Sequence, residues 1–144
     1  MKPILQTNLT KDKGDCFRAC VASIFEIPLE EMPNFWEQTQ DTSEFWQFNK
    51  KWISQEMGYM PMTFCFVKKD LHLLKDVLCV ACAKSPRGSQ DHAVVWKNGL
   101  VHDPHPSNAG LSEQPDTFTL FVAIEPLKKH HGLEREDERL RCAG

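Results

Sequence analysis

No apolar run in the 144 residues approaches the roughly 18 needed for a membrane-spanning helix. The opening residues, Met1-Lys2-Pro3-Ile4-Leu5-Gln6-Thr7-Asn8, turn polar too soon for a signal-peptide core. A basic excess is missing as well, since 17 Lys and Arg face 20 Asp and Glu, for a formal charge of −3. That balance argues against a nucleic-acid partner and offers no pull toward an anionic membrane. Internal repeats are absent too. The expectation is a cytoplasmic protein with neither nucleic-acid nor membrane partners.

A secretory context is therefore missing for the six cysteines at 16, 20, 65, 79, 82 and 142. Most lie inside apolar runs, where a reduced thiol behaves as a small hydrophobe, so free thiols are expected rather than a disulfide scaffold. The chain is 41% hydrophobic, with nine Phe and four Trp, which suffices for one proper core and is short for two. One domain over 1–126 is expected, followed by a charged tail over 127–144.

Hydrophobic periodicity divides that domain. Lys11-Asp12-Lys13-Gly14-Asp15 reads as a polar loop, and Phe17, Cys20, Val21 and Ile24 then recur at helical spacing with Asp15 as N-cap and Pro28 as stop. Asp41 or Thr42 caps a further helix running to about Met57, its buried stripe formed by Phe45, Phe48, Trp52 and Ile53, and Gly58 ends it. Beyond Gly58 the period changes to that of strands, over 59–67, 77–83, 92–96, 100–102 and 118–124. Asn98-Gly99 between apolar runs marks a hairpin, with Trp96 facing Val101, Val95 facing His102 and Val94 facing Asp103. Helices first and antiparallel strands afterward predict an α+β fold with the N-terminal helices packed on an antiparallel sheet.

Three short runs carry the chemistry: Gly14-Asp15-Cys16-Phe17, Asp91-His92-Ala93-Val94-Val95 and Val101-His102-Asp103-Pro104. Cys16 opens a helix, where unpaired N–H groups and the helix dipole favour a thiolate. His92 and Asp103 fall on one face of the hairpin as diagonal neighbours. A thiol, an imidazole to take its proton and a carboxylate to orient the imidazole form a nucleophile–base–orienter set. An oxyanion would need a second donor besides the Cys16 N–H, and Gln6 and Asn8 are the side-chain amides upstream. Cys79-Val80-Ala81-Cys82 has the spacing of a zinc knuckle or redox pair, but on a strand positions i and i+3 face opposite sides. No metal and no cofactor are expected.

Taken together, Gln6, Asp15-Cys16 at a helix start, His92-Ala93-Val94-Val95 and Asp103-Pro104 resemble the papain-like cysteine peptidases, and most of all the small domains that cleave double-glycine leaders from bacteriocin precursors. The chain also resembles small bacterial and phage proteins with a Gly-Asp-Cys-Phe run, a Ser-Pro-Arg-Gly loop and a His-Asp-Pro-His-Pro-Ser run, here 14–17, 85–88 and 102–107. The resemblance spans about residues 4 to 125. It implies a papain-like fold, Cys16 as nucleophile, His92 as base, Asp103 as orienter and Gln6 at the oxyanion. Arg87 and His105, in the loops beside those runs, are expected to contact a protein or peptide substrate. It also implies a bacterial cytoplasm, or a host's if the chain is phage-encoded. Leader peptidases commonly carry Gly where this chain has Phe17 and hold their oxyanion glutamine closer to the Cys, so the implied bond is a peptide or isopeptide bond of open identity. The alternatives are a transamidase or small-amide hydrolase with the same triad, and a catalytically silent binding module that masks a protein partner.

Overall fold

A computed structural model describes residues 1–125; the tail expected over 127–144, Cys142 included, lies outside the described residues. Helix α1 spans Cys16–Phe25, and Glu26 closes it in the left-handed conformation at φ 56° before Pro28. Phe17, Cys20 and Val21 are buried at the expected spacing. Asp15 does not cap the helix with its side chain, contrary to expectation. Its carboxylate is used by the N-terminal segment instead, as described below.

Two short 3₁₀ turns, Leu29–Glu31 and Phe35–Glu37, lead to α2 at Thr42–Trp52. Asp41 accepts the Glu44 N–H at 2.9 Å, and the Glu44 carboxylate reaches back to the Gln40 N–H at 2.8 Å. That reciprocal arrangement pins the helix start. The helix widens into a π turn over Ile53–Met57 and stops at Gly58, whose φ of 74° suits a residue without Cβ. Phe45 and Ile53 are buried, but Phe48 is 42% exposed and does not belong to the stripe expected for it. Its ring stacks on Phe35 at 5.9 Å, where the second 3₁₀ turn rather than the sheet is its neighbour.

The strands are β1 (Tyr59–Cys65), β2 (Cys79–Lys84), β3 (Asp91–Trp96), β4 (Leu100–His102) and β5 (Thr117–Ala123), in the spatial order β1-β5-β2-β3-β4 with all neighbours antiparallel. The described chain is thus an α+β fold of helices and a five-stranded antiparallel sheet. Pleating sorts the core into two faces. Val80, Ala93 and Val95 pack with α1, α2 and the 3₁₀ turns, whereas Cys79, Ala81, Val94 and Phe118 pack with Leu74, Phe66 and Leu71 on the reverse. Val95 pairs with His102 as expected, but Trp96 pairs with Leu100 and not with Val101. One step on β3 against two on β4 leaves Val101 as the extra residue of a bulge beside the Asn98-Gly99 turn. Among the described residues no helix is long and apolar enough to cross a membrane.

Candidate active site

His92 and Asp103 meet. His92 stands near the start of β3, Asp103 follows the last residue of β4, and Nε2 of the ring lies 2.7 Å from the Asp103 carboxylate. Both are buried, at 4% and 2% exposure. The carboxylate also accepts the His105 N–H at 2.8 Å and the Gly110 N–H at 2.7 Å. Burial pushes the Asp103 carboxyl up, but the His92 bond and the two N–H donors outweigh it and hold the group below the usual carboxylate range. Burial also dominates at His92, keeping the imidazole below its ordinary value despite the Asp103 charge. The ring is therefore a neutral imidazole near pH 7, with Nε2 engaged by Asp103 and Nδ1 left as its second nitrogen.

Cys16 is the first residue of α1, and its thiol takes a hydrogen bond from the backbone of Ala93, the residue after His92 on β3. Burial raises the thiol above its ordinary value, while the Ala93, Phe17 and Cys16 backbone groups pull it down and the Asp15 charge adds to the rise. The first-turn N–H groups act as the sequence led one to expect, but burial wins, so the resting sulfur is a thiol. No hydrogen bond joins it to His92 in this arrangement. Cys20, one turn on, is fully buried and is driven well up by desolvation.

Gln6 belongs to an N-terminal strap laid between α1 and the end of β4. Ser23 Oγ accepts the Ile4 N–H at 3.0 Å, His102 Nε2 lies 2.8 Å from the Ile4 carbonyl, and the Pro104 carbonyl takes the Gln6 N–H at 2.9 Å. Asp15, 1% exposed, accepts the N–H groups of Thr7 and Asn8 at 3.0 and 2.8 Å, and the Thr7 hydroxyl and Arg18 guanidinium at 3.0 Å each. The long spacer between Gln6 and Cys16 is thereby folded back on the residue preceding the thiol. Gln6 Nε2 donates one hydrogen to the Asn8 carbonyl at 2.9 Å and keeps a second, while its Oε1 is buried without a partner. Asn8 is engaged elsewhere, its side chain bonding Thr10 and Glu37.

An open cleft of about 420 Å³ takes in part of this set, with His92 and Asp103 outside its lining. Gln6, Cys16, Arg87 and His105 all line it, with Trp36, Ser85 and Asp91 among its other walls. His105 stands edge-on to His92 with ring centroids 6.2 Å apart. Cys79 and Cys82 do diverge: Cys79 packs on the reverse face, and Cys82 packs with α1 near Cys16, its thiol pushed up to about 12 by burial. Among the described residues no three His, Cys, Asp or Glu side chains converge as metal ligands.

Asp15 is the residue that reading the sequence misassigned, because a carboxylate before a helix looks like a cap whatever it binds. Ser85, Ser107 and Gly110 were not singled out for the parts they play. Serines and a glycine carry no pattern until the loops that hold them are folded together. No family model, no curated protein and no solved structure matches the chain.

Proposed function

We propose that this chain is a thiol hydrolase of papain-like architecture acting on a peptide, isopeptide or small amide bond, with Cys16 as nucleophile, His92 as general base and Asp103 as its orienter. The observation that carries this reading is the buried 2.7 Å His92–Asp103 pair, one residue along β3 from the backbone group that holds the Cys16 thiol. A neutral imidazole and an un-ionised thiol match a mechanism in which the proton leaves sulfur as attack begins.

In that sequence the Cys16 sulfur bonds to the substrate carbonyl carbon while its proton passes to His92. The carbonyl electron pair moves onto oxygen, where the Cys16 N–H and the free Gln6 hydrogen are the available donors. Collapse breaks the carbon–nitrogen bond, and His92 returns the proton to the departing amine. Water, deprotonated by His92, then attacks the thioester carbon, the carbon–sulfur bond breaks to release the acid, and His92 returns the proton to the Cys16 sulfur; in a transamidase a second amine attacks instead and the product is a new amide. Asp103 holds the imidazole in the required tautomer throughout.

Burial of the Cys16 thiol favours a second reading, a binding module without turnover. One experiment separates them. Limiting iodoacetamide at pH 7, followed by peptide mapping, should label Cys16 ahead of Cys65, Cys79 and Cys82, and His92→Ala should slow Cys16 alone. Labelling confined to exposed Cys65 would leave the binding module as the better account.

A further inference from the structure

Residues 85–88 and 102–107 are far apart in the sequence, yet hydrogen bonds join them. Buried Ser85 accepts the Arg87 N–H at 3.2 Å, and the Arg87 guanidinium crosses to the second loop, where Nη1 donates to Ser107 Oγ at 3.0 Å. Ser107 Oγ lies 2.8 Å from His105 Nδ1, and the His105 N–H is bound by Asp103. The guanidinium is thus linked through Ser107 and His105 to the carboxylate that orients His92. It is near enough for its charge to push both imidazoles toward the neutral form.

A guanidinium has five N–H donors, and Ser107 takes one of them. Among the described residues no carboxylate lies within 4.0 Å of Arg87. Of the two acids lining the cleft, Asp91 is bridged to Lys84 at 2.9 Å, and Asp12 sits in a loop between Lys11 and Lys13. Arg87 therefore presents an unneutralised fork suited to bidentate binding of a carboxylate. Its placement also gives a direction. The imidazole that protonates the departing amine must lie on the leaving-group side of the sulfur, and Arg87 is tied to the loop on that side.

We propose that Arg87 binds a carboxylate carried by the leaving group, so that the substrate is an acylated amino acid or peptide whose first released residue bears a free α-carboxylate or an acidic side chain. This rests on the thiol-hydrolase reading. The carboxylate takes no part in bond breaking; it fixes the amine beside His92, where the proton is returned.

Three alkylating reagents test it on the full chain. N-bromoacetylglycine places an α-carboxylate where a released residue would carry one, the α-amide of N-bromoacetylaspartate places a side-chain carboxylate, and N-bromoacetylglycinamide carries none. The rate at Cys16 divided by that at exposed Cys65 cancels intrinsic reactivity. This ratio should be roughly tenfold higher for at least one carboxylated reagent at low salt, and which one identifies the carboxylate's source. The preference should vanish in Arg87→Gln and partly survive in Arg87→Lys, which keeps the charge without the fork. Equal ratios for all three reagents, or a preference unchanged in Arg87→Gln, overturns the proposal. Rapid labelling of Cys16 without preference removes the proposal and leaves the thiol hydrolase standing, whereas a Cys16 slower than Cys65 with every reagent defeats both.

Discussion

On the β3–β4 side of the candidate site the Asp103 carboxylate accepts three hydrogen bonds, from His92, His105 and Gly110. On the α1 side the Gln6 Nε2 gives one hydrogen to the Asn8 carbonyl and keeps the other, and the Cys16 thiol is held up by burial. The first wall is complete before any substrate arrives; the second has donors to spare. Satisfied networks are rigid, and groups left short of partners in a cleft are those a ligand can engage. The difference divides the work of the proposed reaction. Orienting the base is preorganised in the fold, while activating the thiol and holding the developing oxyanion wait for the carbonyl.

The largest effect falls on the thiol itself. Cys16→Ala should remove all covalent capture by the bromoacetyl reagents at this position and all turnover of any substrate found. The unfolding midpoint should shift little, because only one sulfur at a cleft wall is deleted. Peptide mapping and urea unfolding check the two halves. Turnover surviving in Cys16→Ala would break the comparison at its root.

Asp103 comes next and affects both stability and rate. Asp103→Ala strands the N–H of a buried neutral imidazole and two backbone N–H groups, at about 1–3 kcal/mol for each donor left unsatisfied. Asp103→Asn keeps the shape but favours the wrong tautomer, so turnover should fall by up to about four orders of magnitude while the fold survives. A near-wild-type Asp103→Asn variant would mean that the complete wall is structural only.

The amide side should be less sensitive. Gln6→Ala should lower turnover on the order of a hundredfold, with substrate binding affected much less, since a donor aimed at the oxyanion acts in the transition state. Asn8→Ala should act only through the strap it helps to hold. The reverse ranking in kcat would move the oxyanion role to Asn8.

These unequal walls were also unequally legible. The Cys16, His92 and Asp103 runs stood out because thiol, imidazole and carboxylate each have few bland reasons to stand at an element edge in that order. The pairing of Val95 with His102 followed from Asn98-Gly99, and the bulge at Val101 escaped because turn chemistry fixes the turn and not the irregularity next to it. Phe48 was misread for a similar reason: periodicity assigns a helix face, but not whether the neighbour is a sheet or a short turn. The partners of Asp15 and Ser107 leave no periodic trace, because they lie in other segments of the chain that only folding brings alongside.

The smallest expected effect concerns acid stability, and it isolates the complete wall. Burial, acting against the Asp103 charge, keeps His92 below its ordinary value, and the bonds to Asp103 keep that carboxyl low in turn. Each group therefore binds fewer protons folded than unfolded, so its contribution is full above the unfolded pKa and is lost as pH falls through the folded one. For His92 the loss begins as pH drops below roughly 6.5, and for Asp103 below roughly 3.9. Between pH 7.5 and 5.5 the urea midpoint of the wild-type protein should fall, and His92→Gln, which cannot charge, should fall less. His105 is also held low, by burial and then by Arg87, and supplies part of the slope that remains. Wild type and His92→Gln losing stability in parallel would show that His92 binds protons alike in the folded and unfolded states, and the claim that burial holds this imidazole in the neutral form would fail.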